Sequence, residues 1–310
     1  MPRLPLVPEE LAHGPFLQSR ARELGVSADM LGGRAWQRLF PRVWVHVDHA
    51  MTPDEWLKAA RLALPPQARL SHTSRLLALG LDLAPLRPFH FTVASDLHLD
   101  LADIFLHRTE VLPPTDDVGV SPAAAFIQTC ATARLIDAVI AGDWLLHRQL
   151  MSINEVVELI RAQRWRPGAL QARRVVPWLD GRSASPKESE LRCHVVAAGL
   201  PTPEVNAPIF HAGRRLAIVD LLFALWRLIV EFEGRQHALD ANQFNRDIVR
   251  YADLRSVDYA YVQVTHEMSR QPRAVVLTID QALRRQGFDG PAPVFGERWD
   301  ALFRPIRIAR

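Results

Sequence analysis

Residues 214–237 constrain the fold more than any other stretch of this 310-residue chain. They read RRLAIVDLLFALWRLIVEFEGRQH, two apolar runs separated by a short turn. Near-continuous apolar runs of this length predict paired strands that are covered on both faces. Three carboxylates, those of Asp220, Glu231 and Glu233, interrupt the runs, so they need a specific explanation.

The spacing of these acids predicts that two of them face each other. If the turn takes residues 224–227, Asp220 lies directly across an antiparallel pair from Glu231, with Cβ atoms roughly 5 Å apart. A buried acid costs several kcal/mol, roughly, unless it is protonated, paired with a cation or bound to a metal. Because no lysine or arginine obviously pairs with them, a divalent metal ion is the expected partner. The alternative is that Glu231 and Glu233 face solvent while Asp220 only ends a strand.

The motifs around these acids form an ordered set. They are SPKE at 185–188, Asp220, EFEG at 231–234, His237, QFNRD at 243–247 and YVQVT at 261–265. Together they resemble the nuclease module of the very-short-patch-repair-like endonucleases, in the PD-(D/E)xK superfamily. The order helix, three strands, helix and strand, read from the sequence of residues 185–287, also fits that module.

This resemblance implies an α/β chain, α+β overall, with an αβββαβ nuclease-like core that acts on DNA. It implies Mg²⁺, or Mn²⁺, held by Asp220 and Glu231 with the helical Glu188 assisting as a third metal ligand. The alternative for Glu188 is structural, because a carboxylate early in a helix is stabilised by the helix dipole.

One position departs from the superfamily pattern, which has a lysine where this chain has Glu233. The charge that develops on the phosphate in the transition state must then be stabilised by Gln236, His237 or Arg235, or the activity is lost. Glu233 or Glu188 is expected to orient the attacking water.

Two arginines of the expected helix 241–257, Arg246 and Arg250, lie four residues apart on one face. They are expected either to contact DNA phosphate or to brace nearby aspartates, which is the more ordinary arrangement on a helix.

The first 50 residues predict a small winged-helix-like head. Two short helices lead into a strand at 43–45, and this order of helix, turn, helix and hydrophobic wing resembles the N-terminal domain of the abortive-infection type IV antitoxins, the AbiEi family. The segment is dense in arginine, and Arg20, Arg34 and Arg38 are the expected contacts to the DNA backbone. The alternative is a packing module that binds no nucleic acid.

The predicted domain boundaries follow from these motifs. The head takes residues 1–50, and a mixed, mainly helical middle domain, similar to the antitoxin family's middle region, takes 51–164. A linker takes 165–184, where proline and glycine break any long helix. The nuclease-like domain takes 185–310, with its last residues as a latch against the core.

Composition limits the remaining possibilities. Lysine occurs only at Lys58 and Lys187, the net charge is +3, and two distant cysteines offer no metal motif. No apolar run approaches the roughly 18 residues of a membrane helix, so a cytoplasmic location without membrane contact is expected. The acidic and histidine clusters at 46–49 and 96–100 are interpreted as solvated turns rather than metal sites.

Three functions remain open from the sequence. The first is a metal-dependent DNA endonuclease acting in repair or phage defence. The second is a DNA-binding regulator or antitoxin-like protein that keeps an inactive nuclease fold. The third is a protein-binding module, and a toxin or repair partner stays undefined.

Overall fold

The computed structural model describes residues 7–233 and 258–308. They form helices and three sheets, which confirms the predicted α+β class. The chain divides into two compact units, Met1–Ala125 and Phe126–Arg310. Within the described residues, every helix is too short or too polar to cross a membrane.

The first unit contains two small sheets, with strand orders β1-β3-β2 and β4-β5-β6. Its described elements are α1 (Glu9–Ala12), β1 (Phe16–Leu17), α2 (Gln18–Glu23), α3 (Ala28–Leu31), β2 (Trp36–Phe40), β3 (Val43–His46), α4 (Pro53–Ala63), β4 (Arg69–Leu70), α5 (His72–Ala78), β5 (Phe89–Val93) and β6 (Ile104–Arg108).

The head of this unit contains the two predicted short helices and the strand predicted at 43–45, which is β3. Strand β2 was not predicted from the sequence. Helix α3 starts where the Ser27 hydroxyl accepts a hydrogen bond from the Met30 backbone, as expected for a capping serine. β2 and β3 pair in antiparallel fashion, and β1 adds to β3. Leu11, Phe16 and Leu31 are buried in one cluster that holds these short elements together. Helix α3 is a single turn of four residues, a short element for a helix meant to enter a DNA groove.

The second sheet of this unit follows helix α4, which begins at a capping box between Thr52 and Glu55. Strand β5 pairs antiparallel with β4 and parallel with β6. Phe89 and Phe91 of β5 are fully buried and join α4 in the second core cluster.

The second unit is built on a four-stranded sheet of order β10-β9-β8-β7, in which β10 is parallel to β9 and the other pairs are antiparallel. Its described elements are α6 (Pro122–Cys130, which begins just before the boundary), α7 (Leu135–His147), α8 (Ile153–Ala162), α9 (Ala169–Val175), α10 (Pro186–Ala197), β7 (Glu204–His211), β8 (Arg214–Phe223), β9 (Leu228–Glu233), β10 (Ala260–Thr265), α11 (Pro272–Arg285) and α12 (Glu297–Ala301).

Helices cover this sheet. Their arrangement differs in part from the predicted domain organisation. α10 contacts β8 and β9, α11 contacts β9 and β10, and α7 packs against α10. Helix α7 was expected in a separate middle domain, but its Asp143 forms a buried ion pair with Arg192 of α10 at 2.7 Å. The segment 165–184, expected as a linker, contains α9, since Ala169, Ala172 and Val175 bury one face of it.

The last described residues pack back on this unit. Trp299 of α12 is 2% exposed and its ring lies 5.3 Å from that of His194 on α10. Pro305 forms an isolated bridge with Arg134, just before α7. The C-terminal segment therefore contacts the core in the way the sequence predicted for a latch.

Candidate metal-binding carboxylate site

The β8–β9 pair sets the geometry of the candidate site. A 3-10 turn at Ala224–Trp226 and a left-handed Arg227 (φ 48°) close the hairpin at the position predicted from the sequence. The register of the two strands pairs Leu221 with Val230. The ladder ends at that pair, and Asp220 and Glu231 are the next residues of the two strands. The register, extended by one step, places the two acids across from each other.

Both carboxylates are held by hydrogen-bond donors. Oδ2 of Asp220 accepts from the Phe232 backbone N–H at 2.7 Å. Oε2 of Glu231 accepts from the Tyr261 hydroxyl at 2.6 Å. Glu231 is only 7% exposed and Asp220 is half-buried. Because each acid has a fixed donor, its orientation is set by the fold before any ligand arrives.

A row of polar side chains crosses the whole sheet at this level. Val205 pairs with Leu221 and Ala207 with Val219, which places Asn206 of β7 level with Asp220. On the opposite side, Gln263 of β10 pairs with Glu231. We call these four residues the polar row: Asn206, Asp220, Glu231 and Gln263.

Glu188 is connected to the polar row through Asn206. Its Oε2 accepts from Asn206 Nδ2 at 2.8 Å and from the Ala184 backbone N–H at 2.8 Å. Asn206 has a φ of 44°, outside the extended region, and also donates to the Arg182 carbonyl. Glu188 lies in the first turn of α10, where Ser185 caps the helix. These contacts are the kind expected if Glu188 has a structural role at the start of α10 instead of binding a metal ion.

The three acids expected to share a metal ion are not gathered at one point. Among the described residues, the carboxylate oxygens of Glu188, Asp220 and Glu231 are not all within 4.8 Å of one another. The facing pair of Asp220 and Glu231 is therefore the centre of the site, and a role of Glu188 as a ligand stays a prediction.

Two residues, Glu233 of β9 and Lys187 of α10, bear on the absence of the superfamily lysine at position 233. Glu233 is exposed, two positions after Glu231 and on the same side of the strand. Lys187 lies 6.0 Å from the centre of the Phe232 ring and forms an ion pair with Glu190 at 2.6 Å. Because neighbouring strand residues point to opposite faces, the Phe232 side is not the Glu231 side. Lys187 is thus not positioned to replace the lysine.

Several predicted site residues belong to the first unit or lie beyond the described part of the chain. Arg20, Arg34 and Arg38 belong to the first unit, where Arg34 and Arg38 are exposed and Arg20 forms an ion pair with Glu23. The remaining predicted residues, Gln236, His237, Arg246 and Arg250, lie outside the described residues.

The clusters interpreted as solvated turns have other partners than a metal ion. Asp96 and His98 are exposed and both contact the Arg108 guanidinium, with Asp96 at 2.7 Å. His49 contacts Glu55 at 2.8 Å.

Sequence reasoning assigned no role to three members of the site. Tyr261 and Gln263 lie within the motif at 261–265, but only the β9–β10 register shows that they reach Glu231. Asn206 is a lone polar residue in an apolar strand, between Val205 and Ala207. That isolation was a usable signal, because a polar residue inside a covered strand needs a partner.

Comparisons with known proteins identify relatives but no family. The chain is 28% identical over 174 residues to two uncharacterized Mycobacterium tuberculosis proteins, MT2308 of strain CDC 1551 and Rv2248 of strain H37Rv. The match covers 56% of this chain and 64% of each relative, so it spans less than two thirds of their length. No family model matches the chain. No solved structure matches it either.

Proposed function

We propose that this protein is a metal-dependent DNA endonuclease that hydrolyses phosphodiester bonds, with Asp220 and Glu231 as the ligands of Mg²⁺ or Mn²⁺. The observation that carries the proposal is the facing pair of acids on β8 and β9, each oriented by its own donor. Two carboxylates at one level of a covered sheet repel each other, and a hard divalent cation relieves that repulsion.

The donor atoms of the site suit such an ion. Mg²⁺ prefers oxygen ligands and keeps several waters, so two carboxylates are a sufficient protein contribution. Asp220 and Glu231 offer only oxygen, and the neighbouring Gln263 adds an amide carbonyl at the same level. When bound, the ion would supply charge neutralisation of the phosphate and a bound water of lowered pKa.

The residues around the pair have separate roles in this proposal. The Tyr261 hydroxyl and the Phe232 N–H keep the two carboxylates in place. Glu233, exposed at the end of β9, orients the attacking water. Gln236 or His237 donates to the charge that develops on phosphate, in place of the superfamily lysine. Glu188 supports the site through Asn206.

The proposal is tested with the purified full-length chain, supercoiled plasmid and linear duplex DNA. Wild type is expected to nick or cut DNA slowly in Mg²⁺ or Mn²⁺ and to stop in excess chelator. Asp220→Asn is expected to lower the rate about 100-fold or more, because it removes a charged metal ligand. The asparagine carbonyl can still accept from the Phe232 N–H, so the fold is expected to remain intact.

Two further variants complete this experiment. Glu158→Gln, at an exposed position of α8, removes a carboxylate away from the sheet and should cut like wild type. His237→Ala should lower the rate about 100-fold while metal binding persists, since the loss of one charge donor costs two to three decades. If wild type and Asp220→Asn leave every DNA substrate equally intact in both metals, the endonuclease proposal fails.

A second candidate function is DNA binding by a regulator whose nuclease fold is inactive. The specific observation in its favour is the glutamate at position 233 where the superfamily lysine belongs, with Lys187 engaged by Glu190. If the protein is such a regulator, the exposed arginines of the first unit bind the DNA.

We expect duplex binding to depend on salt through Arg34 and Arg38. If each touches a phosphate, its replacement by alanine should lower the slope of log affinity against log salt by about one. Fluorescence anisotropy with a labelled duplex at several salt concentrations measures that slope. Arg285→Ala, an exposed arginine on α11, is the matched control. An affinity that does not change with salt would rule out phosphate contacts by this surface.

A further inference from the structure

Three histidines of the first unit meet on one face of the sheet β4-β5-β6. His90 lies on β5, and Thr92 of that strand pairs with His107 of β6. His90 and His107 are therefore two positions apart in the parallel register and share a face. His72 is the first residue of α5 and has a φ of 51°, which turns the start of the helix over the same face.

The ring nitrogens of this histidine cluster, His72, His90 and His107, converge. Each residue offers one nitrogen, and the three nitrogens all lie within 4.8 Å of one another. Nδ1 of His90 and Nε2 of His107 are 3.0 Å apart. Two ligand nitrogens on a tetrahedral zinc ion are about 3.3 Å apart, given Zn–N bonds of about 2.05 Å. The observed separation is thus close to that of two ligands on a single ion.

The third ring, that of His72, lies beside the other two. His72 stacks on His107 with ring centroids 3.7 Å apart, and its centroid lies 5.4 Å from that of His90. The Ser71 hydroxyl lies 2.9 Å from Nδ1 of His72, so we assign Nε2 of that ring as the ligand atom.

The surroundings are those of a built site. Ser71 is fully buried, and the Ser74 hydroxyl accepts from the His90 backbone N–H at 2.8 Å, which ties α5 to β5. The Phe105 ring packs against both His90 and His107 and is 53% exposed, so it separates the cluster from solvent on one side. His90 and His107 are themselves half-buried, which leaves a path for an ion and a water.

The protonation state of the cluster fits a metal site. Burial, together with the charges of its two neighbours, lowers the pKa of His72 to about 2. Burial and His90 lower that of His107 to about 4, and burial lowers the pKa of His90. Neutral imidazole is the form that binds a metal ion, so no proton need be displaced near neutral pH.

We propose that His72, His90 and His107 bind a divalent transition-metal ion of the zinc class, with water as the fourth ligand. Three nitrogen donors favour Zn²⁺, Co²⁺, Ni²⁺ or Cu²⁺ and disfavour Mg²⁺, which takes oxygen ligands. This site is therefore chemically distinct from the carboxylate pair of the second unit. Three protein ligands plus water is the arrangement of an open zinc site.

The test uses the full-length chain and Co²⁺ or Zn²⁺ as probes. One equivalent of Co²⁺ should give the visible absorption of a low-symmetry site, and Zn²⁺ should displace it. Single replacements of His72, His90 and His107 by glutamine should each weaken Zn²⁺ affinity at least about 100-fold, since each removes one of three ligands. Competition against a metallochromic dye measures these affinities.

Two controls separate this site from other binding. His98→Gln changes an exposed histidine of the same unit and should bind as wild type does. Asp220→Asn should also leave the Co²⁺ spectrum unchanged. A failure of the histidine-site proposal can therefore be distinguished from a failure of the carboxylate-site proposal. A wild type that shows no Co²⁺ spectrum at one equivalent overturns the proposal, whatever the folding of the variants. Glutamine variants that fold and keep wild-type Zn²⁺ affinity overturn it as well.

Discussion

Asp143→Ala is expected to lower the free energy of unfolding of the second unit by about 3–5 kcal/mol, because it leaves a buried guanidinium without its counter-ion. The Asp143 side chain is fully buried, and that of Arg192 is 7% exposed. The carboxylate also accepts from the Asp180 backbone N–H at 2.7 Å, and Arg192 donates to the Trp178 carbonyl at 2.7 Å. One ion pair therefore fixes α7, α10 and the segment before α10 together.

Thermal unfolding measures this effect. For a unit of 150–250 residues, each kcal/mol shifts Tm by about 2–4 °C, so a fall of about 6–20 °C is expected. Asp137→Ala on the same helix is the matched control, since its pair with Arg134 is more exposed and should cost less than about 1 kcal/mol. The double variant Asp143→Leu/Arg192→Met should be more stable than Asp143→Ala alone. Equal losses for Asp143→Ala and Asp137→Ala would contradict this account.

Gly168→Ala is expected to cost about 2–5 kcal/mol of unfolding free energy, for two separate reasons. The residue has a φ of 92°, a left-handed conformation that disfavours a Cβ by about 1–2 kcal/mol. A Cβ built there would also lie 1.9 Å from the Ile127 carbonyl oxygen and 3.2 Å from the Ala131 N, so backbone must move. Overpacking of this kind costs about 1–3 kcal/mol more.

Gly199→Ala separates the two contributions to that cost. Gly199 has a φ of 84°, but an added Cβ meets nothing within 4 Å. Its alanine variant should therefore lose only the conformational part, about 1–2 kcal/mol. Chemical denaturation of both variants gives the difference between them. Similar losses of unfolding free energy in the two variants would mean that the backbone near Ile127 moves away from the added Cβ at no cost in free energy.

The hairpin at the centre of the second unit was predictable because its information is local. A turn of a few residues fixes the register of the strands on either side, so the level of Asp220 against Glu231 followed from counting outward from residues 224–227. The starts of α3, α4 and α10 are also set locally, by the capping side chains of Ser27, Thr52 and Ser185. In each case the residues that decide the geometry are near neighbours in the chain.

Contacts between distant segments were not predictable in the same way. Tyr261 reaches Glu231 only because β10 joins β9 in parallel, and the two residues are 30 positions apart in the sequence. The cluster of His72, His90 and His107 depends on a parallel pair of short strands and a left-handed residue at a helix start. A single sequence carries no signal for such registers, since either strand could be shifted by two residues without changing its apolar pattern.

The Tyr261–Glu231 hydrogen bond gives this protein a spectroscopic reporter at its candidate site. The chain has three tyrosines. A preparation labelled with fluorotyrosine therefore yields a fluorine NMR spectrum simple enough to assign by single replacements. The phenol of Tyr261 donates directly to Glu231 at 2.6 Å, so its electron density responds to the charge on that carboxylate. The occupancy of the site can thus be followed in solution by one resonance, independently of whether any DNA is cut.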